Sequence, residues 1–163
     1  MSERPLVSAI TGSHPPRVEL LIEAMRNLRE STYPNLEHCI AVEGEPDDVD
    51  AMVARIRREA VAMERQIPTR VVGLGRHWSS FLAASISAVP FQVAQWMARG
   101  DLLMWFSDDE RMTTDHVSSL VELLGRTDSD FVYPRVEVNF TEQFMRTKPD
   151  IIGCDPPVRG QVS

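Results

Sequence analysis

Long apolar runs, an excess of basic charge and spaced cysteines are all scarce in this chain, and each scarcity removes a class of function. No stretch approaches the roughly 18 consecutive apolar residues that a membrane span needs. The opening Met1-Ser-Glu-Arg-Pro-Leu-Val7 has no apolar core of the kind an export signal carries. Acidic residues outnumber Lys and Arg by 24 to 17, a formal net charge of −7. That balance argues against a general nucleic-acid or anionic-membrane surface. The two cysteines, Cys39 and Cys154, are not spaced as metal ligands, and His14, His38 and His116 lack the spacing of a zinc site. Cys39 lies in an apolar run, where a buried free thiol is expected. A reducing, cytoplasmic setting is the resulting expectation. Internal repeats, low-complexity segments and linkers are also missing.

What is present is enough for one domain with a real core: 163 residues, 43% of them hydrophobic. Leu6–Ile10, His38–Val42 and Arg70–Leu74 read as strands, and Thr11-Gly-Ser-His-Pro-Pro16 reads as the loop leaving the first. Val18, Leu21, Ile22, Met25 and Leu28 recur at helical spacing over Arg17 to Ser31, and Tyr33-Pro34 closes that helix. A second helix, capped by Asp47 or Asp48, runs to about Gln66 with Val49, Met52, Val53, Ile56, Ala60 and Met63 inward. Phe81, Leu82 and Ile86 suggest a helical turn or two. Val89, Val93, Trp96 and Met97 form the stripe of a short helix ending at Arg99-Gly100. A further helix spans about Asp115 to Arg126, capped by Thr114. Asp130–Val138 reads as a fifth strand, broken or bulged at Pro134. Strands alternating with helices define an α/β fold with a mainly parallel sheet and helices on its faces.

The stretch that organises the rest is Leu102–Glu110, Leu-Leu-Met-Trp-Phe-Ser-Asp-Asp-Glu. Its apolar run reads as a short central strand buried on both faces. It carries Asp108 and Asp109 to a C-terminal strand end, where ligands of open α/β sheets bind. Neighbouring strand residues point to opposite faces, so the two carboxylates need not share one job. Mg²⁺ and Mn²⁺ favour few protein carboxylates together with phosphate oxygens. A solvated acidic turn ahead of a helix is the plain alternative. Glu43, at the end of the second strand, is in line to reach the same edge, and is otherwise a loop acid. Thr11, Gly12 and Ser13 offer nucleotide contacts, or simple turn chemistry. Arg70, Arg76 and His77 flank the third strand and could meet phosphate, or form a solvated basic loop. An incoming diphosphate requires counter-charge: like charges 4 Å apart repel by ~4 kcal/mol at an effective dielectric of 20.

The order of parts resembles a known family. Leu6–Ile10 with Val18–Leu21, Ser31-Thr-Tyr-Pro-Asn-Leu-Glu37 before Ile40–Val42, Ala98-Arg-Gly-Asp101, and Ser107-Asp-Asp-Glu110 with Asp115-His-Val117 are similar to the nucleotide-binding half of inverting glycosyltransferases of the GT-A fold, family 2-like. The likeness spans about residues 5 to 138. It implies a GT-A-type, nucleotide-diphospho-sugar transferase fold within a single domain, residues 1–138 holding the nucleotide-sugar and 139–163 starting a reduced or truncated acceptor part. It implies a metal, Mn²⁺ or Mg²⁺, at Asp109, and Asp108 near ribose or sugar. Thr11 and Ser13 fall where the family's first loop meets the nucleotide, and Glu43 where an aspartate usually reads the base. Glu43-Gly44-Glu45 departs from the usual Asp-Asp-Gly, Ser107 replaces a first aspartate, and Phe91-Gln92 occupies the region of an Arg-Asn pair. The catalytic base has no motif here; Glu137, Asp150 and Asp155 are acids in the right part of the chain.

The function implied is metal-dependent transfer of a sugar from a nucleotide-diphosphate donor, a UDP-sugar above others, to an unknown acceptor. The alternative is a catalytically reduced nucleotide-sugar-binding or scaffold protein of the same fold, acting as a homo-oligomer or with a partner chain. Nucleotidyl transfer is a third option, disfavoured because no Gly-rich, Lys-containing phosphate loop follows the first strand.

Overall fold

Each of the four apolar segments that read as strands up to Trp105 forms one, and all four run parallel. The computed structural model describes residues 4–76 and 88–134. The chain divides into two units, Met1–Val132 and Tyr133–Ser163, and the architecture below is that of the first. Its elements are β1 (Val7–Ser13), a 3-10 turn (Pro15–Arg17), α1 (Val18–Glu30), β2 (Leu36–Glu43), α2 (Pro46–Ala62), β3 (Thr69–Leu74), α3 (Ala88–Met97), β4 (Leu102–Trp105) and α4 (His116–Arg126). The sheet order is β3-β2-β1-β4, an α/β fold as expected. No helix among the described residues is long and apolar enough to cross a membrane.

Strand alternation sorts the core into two layers. Val7 and Ala9 of β1 pack with Ala24 and Leu28 of α1, Val117 of α4 and Phe106, while Ile40 and Val42 of β2 meet Leu21, Met25, Val49, Met52 and Ile56 of α1 and α2. On the other face Ile10, Cys39 and Ala41 pack against Ala94, Phe91 and Met97 of α3. Helices therefore cover both faces. Cys39 is a buried free thiol, and burial pushes that thiol up from its ordinary range.

Several boundaries differ from the sequence reading. β1 continues through Ser13, so Thr11, Gly12 and Ser13 are strand residues and not loop. α2 starts at Pro46, with Asp47 and Asp48 in its first turn and not as caps, and it ends at Ala62. Proline suits that first position because the amide it lacks has no partner within the helix. Asp115, not Thr114, caps α4. The Thr114 carbonyl instead accepts the Thr32 amide at 2.7 Å.

The inner face of α3 is Pro90, Phe91, Val93, Ala94 and Met97; Val93 and Met97 fall inward as expected, while Trp96 is exposed. A Cβ on Gly12 would lie 2.9 Å from Pro90 Cβ, so this helix lies close against β1.

The largest revision concerns Leu102–Trp105. Expected as a central strand buried on both faces, it is the last strand of the described sheet, paired with β1 alone. Leu103 and Trp105 are 46% and 69% exposed, and the Trp105 ring stacks on Phe91 with centroids 5.2 Å apart. The fully buried strands are β1 and β2. Asp130–Pro134 form no strand, and residues 135–138 lie outside the described residues together with Phe81, Leu82 and Ile86.

Candidate functional site

Parallel strands place all four C-terminal ends on one edge, and the contacts there begin with the end of β1. Ser13 is the last residue of that strand. His14 stays extended, and Pro15 and Pro16 then fix a 3-10 turn closed by the Arg17 amide on the His14 carbonyl at 2.9 Å. This turn sets Arg17 at the head of α1. The Ser107–Glu110 segment faces it. The strand does not run on through the acids: the Glu110 amide bonds the Ser107 carbonyl at 3.3 Å, and the Glu110 carboxylate accepts the Ser107 amide at 3.0 Å. Glu110 is thus the acid that closes the turn.

That turn gives the two aspartates different surroundings. Asp108 is buried: Ser13 Oγ donates to its Oδ2 at 2.6 Å, Arg17 Nε donates to both oxygens at 2.9 Å, and Arg17 Nη2 donates to Oδ1 at 2.7 Å. Asp109 is half exposed and meets the same Nη2 through its Oδ2 at 2.6 Å. One guanidinium therefore bridges two carboxylates, leaving one net negative charge on the cluster. The Asp108 bond raises the Arg17 pKa further above its already high value, so this cation does not titrate. Burial alone would push the Asp109 carboxyl up, but a Ser107 hydrogen bond and Arg17 together outweigh it and hold it below the usual range.

A second set of contacts fixes where the acid turn begins. Thr11 Oγ1 donates its one hydrogen to the Phe106 carbonyl at 2.6 Å, and it lies 2.9 Å from His38 Nε2. The imidazole must then be the donor, which makes His38 the Nε2–H tautomer with a bare Nδ1. That Nδ1 has no partner. Complete burial, with Arg29 nearby, pushes the His38 pKa down to about 3. Adding the Phe106 amide on the Ile10 carbonyl at 3.1 Å, the last residue before the turn is tied to β1 by both its amide and its carbonyl.

The segment entering β4 is locked at the opposite end of the sheet. Buried Glu37 accepts Ser8 Oγ and the Arg99 amide, each at 2.6 Å, and pairs with Arg70. Burial would raise the Glu37 carboxyl, but those donors outweigh it and hold it low. The Gly100 amide bonds Ser8 Oγ at 2.8 Å, and Asp101 Oδ2 accepts the Leu6 amide at 2.9 Å. The Ala98-Arg-Gly-Asp101 passage is thus a docking device for β4.

The predicted site residues divide accordingly. Ser13, Asp108 and Asp109 come together. Thr11 is fully buried, its hydroxyl committed to Phe106 and His38, and Gly12 serves the approach of α3. Glu43 is buried at the end of β2 on the α3 face, and Gly44 after it, with φ +155°, packs against Pro15. Arg70, expected to meet phosphate, is engaged by Glu37 and the Met97 carbonyl at the far end of the sheet. Arg76 follows β3 on the acid edge. His77, Glu137, Asp150, Asp155 and Cys154 lie outside the described residues. The residue the sequence reading missed is Arg17, which it took as the first residue of a helix. Its one signal was Pro-Pro-Arg directly after a strand end. Among the described residues, no group of three or more His, Cys, Asp or Glu side chains is placed to hold a metal ion.

No protein-family model matches the chain, and none of the curated proteins matches it. Among solved structures, two of S. aureus TarS residues 1–349 do. The first, in complex with UDP, has a TM-score of 0.53, and the second has 0.52. Each is 15% identical and covers 74% of this chain and 32% of the TarS chain. This chain therefore spans about a third of the length of the structures it matches. TarS is a GT-A-like glycosyltransferase, and the likeness establishes the same fold here.

Proposed function

We propose that this protein binds a nucleotide-diphospho-sugar, with UDP as the nucleotide, at the edge formed by Ser13, Arg17, Asp108 and Asp109, and transfers the sugar to an acceptor hydroxyl with inversion. The observation that carries this reading is the buried Asp108 and half-exposed Asp109 pair at the C-terminal edge of a parallel sheet, in a fold shared with a structure that holds UDP. Asp109 suits a hard divalent cation, Mn²⁺ or Mg²⁺, which needs few protein carboxylates when phosphate oxygens and waters complete its shell. The oxygens of Asp108 are already taken by Ser13 and Arg17, so Asp109 would be the protein ligand. Such an ion supplies charge for the departing diphosphate.

In the transfer, the acceptor oxygen bonds the anomeric carbon as the bond from that carbon to the diphosphate oxygen breaks. The diphosphate leaves with the electron pair, and the acceptor proton passes to a carboxylate base. Calorimetry with UDP and Mn²⁺ tests the donor half. Micromolar to millimolar binding, lost in Asp109→Ala, is the expected result. The reading fails if no nucleotide binds, or if binding survives that substitution unchanged. Release of free sugar from the donor then separates a transferase from a binding protein of the same fold.

A further inference from the structure

We infer that Arg17 is a positioning residue that competes with a divalent cation for Asp109, so that the protein binds the bare cation weakly. The inference deepens the reading above and rests on it in one respect, the placing of the cation at Asp109.

The geometry separates the two halves of the Arg17 contact. Toward Asp108, the guanidinium makes a fork from Nε and Nη2, and Ser13 bonds the same carboxylate independently. Side-chain exposure there is 4%, against 53% for Asp109. Toward Asp109, the contact is a single leg from Nη2 to Oδ2. A fork onto a buried carboxylate is hard to break, because it would strand a buried charge. A single leg onto a half-exposed one is weak and exchanges with water and ions. Asp109 can therefore leave Arg17 while Asp108 keeps it. A cation arriving alone must displace that leg and sit beside a fixed positive charge. A cation arriving with a diphosphate brings its own negative charge, which the partly exposed guanidinium then faces.

The role differs from that of a structural arginine in one measurable way. Losing an arginine that only props Asp108 would change cation affinity through its charge, which Arg17→Lys keeps, whereas losing a competitor also frees the Asp109 carboxylate. The experiment is titration of the full chain with Mn²⁺ in the absence of nucleotide, read from the spectroscopic signal of free Mn²⁺. Arg17→Gln keeps a donor for Asp108 but removes the charge. It is expected to bind Mn²⁺ about tenfold more tightly than the unaltered chain, the scale of one screened charge at close range. Arg17→Lys, which cannot span both acids, is expected to tighten binding by less, and it serves if Arg17→Gln does not fold. The inference is overturned if the variant that folds, judged by circular dichroism and melting, binds Mn²⁺ no more tightly than the unaltered chain. It is equally overturned if the gain persists when Asp109→Ala is added. Failure of UDP to bind would remove the proposed function while leaving this Mn²⁺ comparison readable on its own.

Discussion

The Gly100 amide donates to Ser8 Oγ at 2.8 Å, and a Cβ on Gly100 would lie 2.5 Å from that same oxygen and 2.6 Å from the Leu6 carbonyl oxygen. The close approach and the hydrogen bond are one feature, because only a bare backbone reaches Ser8 while Ser8 also bonds buried Glu37. Gly100→Ala should therefore cost about 2–4 kcal/mol by pushing β4 off β1. Gly125→Ala is the matched control. It lies in α4 with nothing within 4 Å of its added Cβ, and it should leave stability unchanged or raise it by up to about 1 kcal/mol. Urea unfolding of both variants checks the pair; equal effects would contradict the account.

The two aspartates should separate stability from binding. Asp108→Asn replaces a buried carboxylate that accepts from Ser13 and Arg17 with an amide that cannot accept at both ends, and should cost about 1–3 kcal/mol. Asp109→Asn touches a half-exposed carboxylate and should stay within about 1 kcal/mol of the unaltered chain. The ranking reverses for UDP with Mn²⁺, where Asp109→Asn should abolish binding. Melting curves beside calorimetry give both readings. A stability loss at Asp109 as large as that at Asp108 would contradict the assigned surroundings.

His38 should make stability fall with acid well above the carboxylate range. Its folded pKa is depressed to about 3 against an ordinary 6.5, so between those values the unfolded chain binds a proton that the native imidazole does not. Stability is then fully present above pH 6.5 and is lost as pH falls, with a slope approaching about 1.4 kcal/mol per pH unit. Glu37 and Asp109, also held low, add their own losses only once the unfolded carboxylates begin to protonate. Among these three groups, the window from pH 6.5 to 5 therefore belongs to the His38 imidazole. His38→Gln, which cannot protonate, should flatten it in a pH series of urea unfolding. A slope that persists in the variant would assign the effect elsewhere.

Much of the fold is legible in the sequence because periodicity reports burial directly. Leu21, Ile22, Met25 and Leu28 of α1, and Val49, Met52, Val53 and Ile56 of α2, fall inside as their spacing predicts. The apolar run at Leu102–Trp105 misleads because a run says nothing about how many strands flank it. Its second face meets Phe91, with Trp105 otherwise largely exposed. Conversely, β1 and β2 are buried throughout although they contain Ser8, Thr11, Ser13, Glu37, His38 and Glu43. Polar residues in a strand ordinarily mark a solvent face. Here Ser8, Thr11, Ser13 and Glu37 are satisfied, and His38 is engaged through Nε2 alone, by partners 27 to 95 positions away, a distance over which local pattern carries no information. Arg17 escaped notice for the same reason: its partners are Asp108 and Asp109, and nothing near it in the chain announces them.

The strand order β3-β2-β1-β4 also has a consequence for folding. β4, the last of the described strands to be synthesised, docks beside the first, and the Ser13–Asp108 bond closes a separation of 95 residues. Contacts of that span form late, since the chain loses loop entropy before they form. Until β4 is in place, Arg17 has neither acid and Thr11 has no Phe106 carbonyl. A nascent or partly opened chain can thus hold β1, β2 and their helices and still present no acid edge. Binding at this edge would report that the sheet has been completed.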